Sequence, residues 1–123
     1  MKYILLLAIA LGTFAAHAQS GMDKMKTYYF VLLTKGPHRE QDSLTAEKIQ
    51  AAHMANINRL GKEGKLIVAG PFMDDGDWRG IFIFDAKDKN EVESYLKTDM
   101  AVTSGRLRYE IHPWLTEKGT CFK

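Results

Sequence analysis

The sequence predicts one α+β domain of order strand–helix–strand–strand–helix–strand. Four segments rich in aromatic and branched apolar residues, 26–34, 66–70, 80–84 and 106–112, are each bounded by Gly, Pro or Asp. Two stretches between them carry apolar residues at spacings of three and four, the mark of amphipathic helices. The first and third strands are apolar on both faces, whereas the last alternates cleanly between apolar and polar. Strands apolar on both sides belong in the middle of a sheet and alternating ones at its edge. The pattern is that of a ferredoxin-like, four-stranded antiparallel sheet.

Each element has its own local cause. In the first strand Tyr29, Val31 and Leu33 face one way and Tyr28, Phe30 and Leu32 the other. Lys35, Gly36, Pro37 and His38 break it, and polar residues continue to Ser43. Ser43 or Thr45 is the expected cap of a helix running to about Glu63, with Gly64 as its stop. The second strand ends at Pro71, and Asp74, Asp75, Gly76 and Asp77 suit a turn into the third. There Ile81 and Ile83 oppose Phe82 and Phe84. Asp88, with Glu91 three positions on, resembles a capping box opening a helix through Val92, Tyr95 and Leu96. Residues 98–105 read as a connection to the last strand, which Pro113 is expected to end.

Residues 1–18 stand apart from this domain. Lys2 precedes the apolar run 4–11, and Ala16, His17 and Ala18 form a small-x-small site before Gln19. That is the layout of a bacterial signal peptide cleaved after Ala18, so a periplasmic or secreted product is expected. The run is too short for a bilayer, which takes about 20 residues. Residues 19–25 then read as a flexible lead-in, 26–115 as the domain and 116–123 as a polar tail. The formal charge of +2 falls to +1 without residues 1–18, which hold one Lys and no acid. Interspersed signs at so small a net charge give no electrostatic case for nucleic acid. Cys121 is the only cysteine, which excludes a disulfide within the monomer.

Two helices cover one face of a four-stranded sheet, yet the central strands are apolar on both. A face-to-face homodimer would bury the other face, and twofold dimers are the commonest such solution.

In the first helix Ala46, Ile49, His53, Ile57 and Leu60 share one stripe, which turns a titratable imidazole inward. Such a group either serves a site or is satisfied as a core residue. Asp99, just after the second helix, is the candidate partner, with capping of a loop as the plainer reading.

With these features the chain resembles the YCII-related family of dimeric α+β barrel proteins. The resemblance rests on His53, on residues 60–72 with their Gly-Lys-Leu-x-x-Ala-Gly-Pro segment, on strand 80–85, on Asp99, and on the ending Glu110, Ile111, His112, Pro113 and Trp114. It implies a fold similar to muconolactone isomerases and a His53–Asp99 active site. The family's acid is often followed by Pro, whereas Met100 follows Asp99 here.

A His–carboxylate pair suits general acid–base work, because imidazole titrates near neutrality and the carboxylate fixes its tautomer. The expectation is a cofactor-independent isomerase or lyase acting on a small cyclic or aromatic compound. Its small apolar cavity is expected on the second sheet face and at the dimer centre, lined by Tyr28, Phe30 or Phe82. The alternative is a non-catalytic small-molecule binding or stress-associated module. Asp74, Asp75 and Asp77 lack the Glu of a calcium loop, and His38 and His112 lack zinc-ligand spacing relative to His53. No metal or organic cofactor is therefore expected. Arg39 reads as a solvated loop residue with some capacity for an anion, and Trp78 and Trp114 as core or dimer anchors.

Overall fold

The computed structural model describes residues 21–121, so the expected signal peptide lies outside the described residues. The elements are β1 (Met25–Lys35), α1 (Ser43–Lys62), β2 (Leu66–Pro71), β3 (Trp78–Phe84), α2 (Lys89–Leu96), α3 (Met100–Thr103) and β4 (Leu107–Glu117). The strands form one antiparallel sheet of order β2-β3-β1-β4, with β1 and β3 central as the two-faced patterning predicts. The chain divides into two compact units, one of Tyr28–Trp114 and one of the residues up to Thr27 together with those from Leu115. Within the smaller unit, the Lys118 amide donates to the Lys24 carbonyl at 2.9 Å.

Register decides which side chains face the helices. Val31 pairs with Phe82 and Tyr29 with Phe84, so this row points to one side of the sheet. On that side Val31, Leu33, Phe82 and Phe84 join Leu60 of α1, Val92 and Leu96 of α2, and Leu66 and Ile111 in one buried core. Phe84 packs against Phe82 edge-on and against Tyr95, with ring centroids 5.7 Å apart in both pairs. The opposite row pairs Phe30 with Ile83 and Leu32 with Ile81; Ile83 is buried and the other three are half-buried.

Several boundaries differ from expectation, each for a local reason. The N-cap of α1 is Asp42, not Ser43 or Thr45; its extended backbone lets the carboxylate accept from the Thr45 amide at 2.8 Å. Ser43 is already the first helical residue. Asp88 caps α2 through the Glu91 amide, but Glu91 returns its own bond to the Lys87 amide, one residue before the cap. The connection 98–105 contains the short helix α3, capped by Asp99. Strand β4 continues through Pro113 to Glu117, which an edge strand tolerates because a missing N–H on its outer side costs no ladder bond. Trp78 extends β3 by two residues over the expected start.

Two glycines draw the end of β1 against the turn before β4. A methyl group at Gly36 would overlap the Gly105 carbonyl oxygen, and Gly105 itself has a φ of +74°. The contact is sealed by the Gly36 amide on the Arg106 carbonyl at 2.9 Å and the His38 amide on the Gly105 carbonyl at 3.0 Å. This seam carries Arg39 and Arg106 to the same end of the sheet.

Candidate functional site

The inward stripe of α1 is observed with one exchange. Ile49, His53 and Leu60 are buried, Ala46 and Ile57 are half-buried, and Asn56 is buried beside them. Asn56 is tolerated there because its Oδ1 accepts from Arg59 Nη2 at 2.7 Å and lies 3.0 Å from the Thr98 oxygen, whose single proton it shares with the nearer Tyr95 carbonyl. Thr98 in turn donates to the Tyr95 carbonyl at 2.6 Å, so the network fixes the turn that delivers Asp99.

Asp99 is only 1% exposed, and its carboxylate meets His53 Nδ1 at 2.9 Å through Oδ1 and at 2.7 Å through Oδ2. Oδ1 also accepts from the Ala101 amide at 2.8 Å. The capping reading and the pairing reading of Asp99 are therefore both true, and one explains the other: the cap clamps the carboxylate that holds the imidazole. Met100 occupies the first position of α3, where proline is also well accommodated, so the departure from the family pattern leaves the cap intact.

An ionised carboxylate can only accept, so in the neutral imidazole Nδ1 carries the proton and Nε2 keeps its lone pair. Among the described residues no enclosed side-chain nitrogen or oxygen lacks a partner. Nε2 makes no hydrogen bond among the described residues and so is not enclosed, and His53 lines a cavity of about 340 Å³. The imidazole is further fixed by Phe82, stacked at 6.0 Å between ring centroids.

The cavity lies on the helix side of the sheet, not on the open face. Phe82 lines it, but Tyr28 and Phe30 do not, since Phe30 belongs to the opposite row of β1. Nor is it purely apolar. Leu33, Ile57, Phe82 and Leu107 supply an apolar wall, and the guanidinium groups of Arg39, Arg79 and Arg106 supply a basic one. Arg39 is half-buried and donates to the Arg106 carbonyl at 2.8 Å, which corrects its reading as a solvated loop residue.

Residues 27–115 match the model of the YCII-related domain. The chain belongs to that family. No curated protein matches the sequence. Two solved structures share the fold of this YCII-related protein. One is 5-chloro-2-hydroxyhydroquinone dehydrochlorinase (TftG) from Burkholderia phenoliruptrix AC1100, in complex with 2,5-dihydroxybenzoquinone. It is 24% identical over 70% of this chain and 92% of that one, with a TM-score of 0.53. The other is muconolactone isomerase, 12% identical over 78% of this chain and 96% of that one, with a TM-score of 0.57.

The remaining candidates of this YCII-related chain lie apart from the pair. His38 sits 3.6 Å from Glu40 and His112 3.4 Å from Glu110, both at the surface. Asp74, Asp75 and Asp77 form an exposed turn, where the Asp75 carbonyl accepts from Lys35 Nζ at 3.0 Å. Trp78 and Trp114 are 57% and 44% exposed, so neither anchors the core of this chain. Cys121 is exposed.

Proposed function

We propose that the protein is a cofactor-independent isomerase or lyase in which His53 Nε2 is the acid/base and Asp99 its positioning partner. The observation that carries this reading is the buried pair, clamped on the Nδ1 side and set in the wall of the cavity that His53 lines. Nε2 takes a proton from a carbon next to a carbonyl, or from its vinylogous position. The electron pair of the broken C–H bond moves onto that oxygen, and the Asp99 charge stabilises the imidazolium formed. Returning the proton at another carbon completes an isomerisation; expulsion of a leaving anion completes an elimination. A dehydrochlorinase and an isomerase on the same fold support both outcomes. The cavity volume suits a small cyclic or aromatic compound.

Turnover of a panel of chlorinated hydroxyhydroquinones and unsaturated lactones, followed by chloride release and ultraviolet absorbance, tests the reading. Expected is activity that His53→Ala abolishes. Activity retained in His53→Ala, or saturable binding across the panel with no turnover, overturns it, and the latter favours a binding module.

Export and dimerisation belong to the same proposal. The layout of residues 1–18 supports export, tested by mass determination of periplasmic material, where an unprocessed N-terminus would contradict cleavage after Ala18. The apolar row Phe30, Leu32, Ile81 and Ile83, on the side of the sheet away from the core, supports a face-to-face homodimer. Sedimentation at micromolar concentration would show a monomer if that row has no partner.

A further inference from the structure

Three arginines from three different elements meet at the cavity. Arg39 comes from the loop after β1, Arg79 from the start of β3 and Arg106 from the residue before β4, and all three are half-buried. Each commits one terminal nitrogen to a protein acceptor: Arg39 Nη1 to the Arg106 carbonyl at 2.8 Å, Arg106 Nη1 to Gln41 Oε1 at 2.8 Å, and Arg79 Nη1 to the Gly76 carbonyl at a long 3.5 Å. A guanidinium has five N–H donors, so most of this donor set is uncommitted. No carboxylate among the described residues pairs with any of the three. Burial, and then the charges of Arg106 and Arg79, hold the Arg39 guanidinium below its ordinary range. Clustered like charges without a counter-ion raise the free energy of the empty cavity, and an anion bound there relieves it.

We propose that Arg39, Arg79 and Arg106 form an anion subsite that holds a carboxylate or phenolate of a one-ring substrate, with the ring against Phe82 and facing His53 Nε2. The inference deepens the acid/base reading and rests on it only for the chemistry that follows binding. Guanidinium groups match planar, delocalised oxyanions and form charge-assisted bonds with them. In the reaction proposed above they stand where the oxygen gains charge as His53 removes the proton.

The test measures binding of benzoate, 4-nitrophenolate and neutral benzamide to the purified protein by calorimetry and thermal shift. Expected is that at least one anion binds and raises Tm while benzamide does not, and that Arg79→Gln weakens the anion about tenfold or more. Arg79 is the arginine of choice because, among the described residues, its side chain makes only the long bond to Gly76, so its loss disturbs the fold least. Arg79→Lys keeps a charge without the planar fork and is expected to fall between wild type and Arg79→Gln. Whichever anion binds more tightly identifies the oxygen type. His53→Ala is expected to retain anion binding whatever its turnover, which separates failure of this inference from failure of the catalytic reading. Benzamide binding as tightly as benzoate, no binding of either anion, or unchanged affinity in Arg79→Gln overturns the subsite.

Discussion

Each of the three described histidines stands beside a carboxylate, and only one of the pairs is built into the fold. His38–Glu40 and His112–Glu110 are two residues apart in sequence, 3.6 and 3.4 Å apart in space, and at least 59% exposed in every side chain. His53–Asp99 spans 46 residues, closes to 2.7 Å and leaves 11% and 1% of the two side chains exposed. Nearness in sequence thus places a carboxylate beside an imidazole without confining either. Confinement needs two elements packed together, a cap on the acid and a ring behind the base, and α1, α3 and Phe82 supply these. Exposed pairs of the first kind contribute little, whereas a buried pair is sensitive to loss of either partner.

The largest difference is expected in turnover. His53→Ala should lower kcat by about 10²- to 10⁴-fold, the usual share of a general acid–base group. His112→Ala should leave kcat within about twofold, as surface substitutions usually do. Equal losses in the two variants would erase the distinction between the pairs.

Next in size is stability on removal of the acid. Asp99→Ala deletes the partner of a buried imidazole and the cap of α3 together, which should cost about 3–5 kcal/mol in urea unfolding. Asp99→Asn keeps an oxygen for the Ala101 amide and the His53 Nδ1–H, so it should cost much less stability while lowering kcat. A similar stability for the two variants would show that the pair is not structurally coupled to α3. Behind the pair, Asn56→Ala removes the acceptor of Arg59 Nη2 while Thr98 keeps the Tyr95 carbonyl, and should cost about 1 kcal/mol. Because that network fixes the turn before Asp99, a fall in kcat at unchanged KM is expected with it.

The sheet and the imidazole were legible in the sequence because alternation and helical spacing are periodic, and burial follows the period. Val31, Leu33, Phe82, Phe84 and His53 all lie where their period puts them. Asp99 was legible as a candidate from its place just after the second helix, and family resemblance added the pairing, since nothing local shows which helix a loop carboxylate will meet. The arginine cluster was illegible for the same reason in stronger form. Arg39 reads as a loop residue and Arg106 as the start of an alternating edge strand, Arg79 carries no periodic signal, and the Gly36–Gly105 seam and the sheet register bring them together. The cavity was misplaced because apolar residues on the open face suggested a binding surface there, whereas the space occurs where α1 and the sheet leave room above Gly80 and Phe82. At Asp42, Ser43 and Thr45 three good cap residues competed, and backbone geometry rather than composition chose among them.

The smallest effect concerns the weakest of the three pairs and appears only in acid. The Glu40 carboxylate is held below its ordinary value, first by its own backbone N–H and that of Arg39, then by His38. A carboxyl group lowered on folding adds stability that is fully present above its unfolded value, near ~4.3, and is lost as pH falls through the lower folded value. Glu40→Gln keeps an acceptor for the Arg39 amide but not the charge. At neutral pH the variant should therefore be slightly less stable than wild type. The gap should close as pH falls below the carboxylate range, because protonated Glu40 and Gln then offer the same neutral acceptor. Added salt should narrow it at neutral pH as well, since the pair is open to solvent. A Glu40→Gln gap that stays constant from neutral to strongly acidic pH would mean that the carboxylate's charge plays no part at this surface pair.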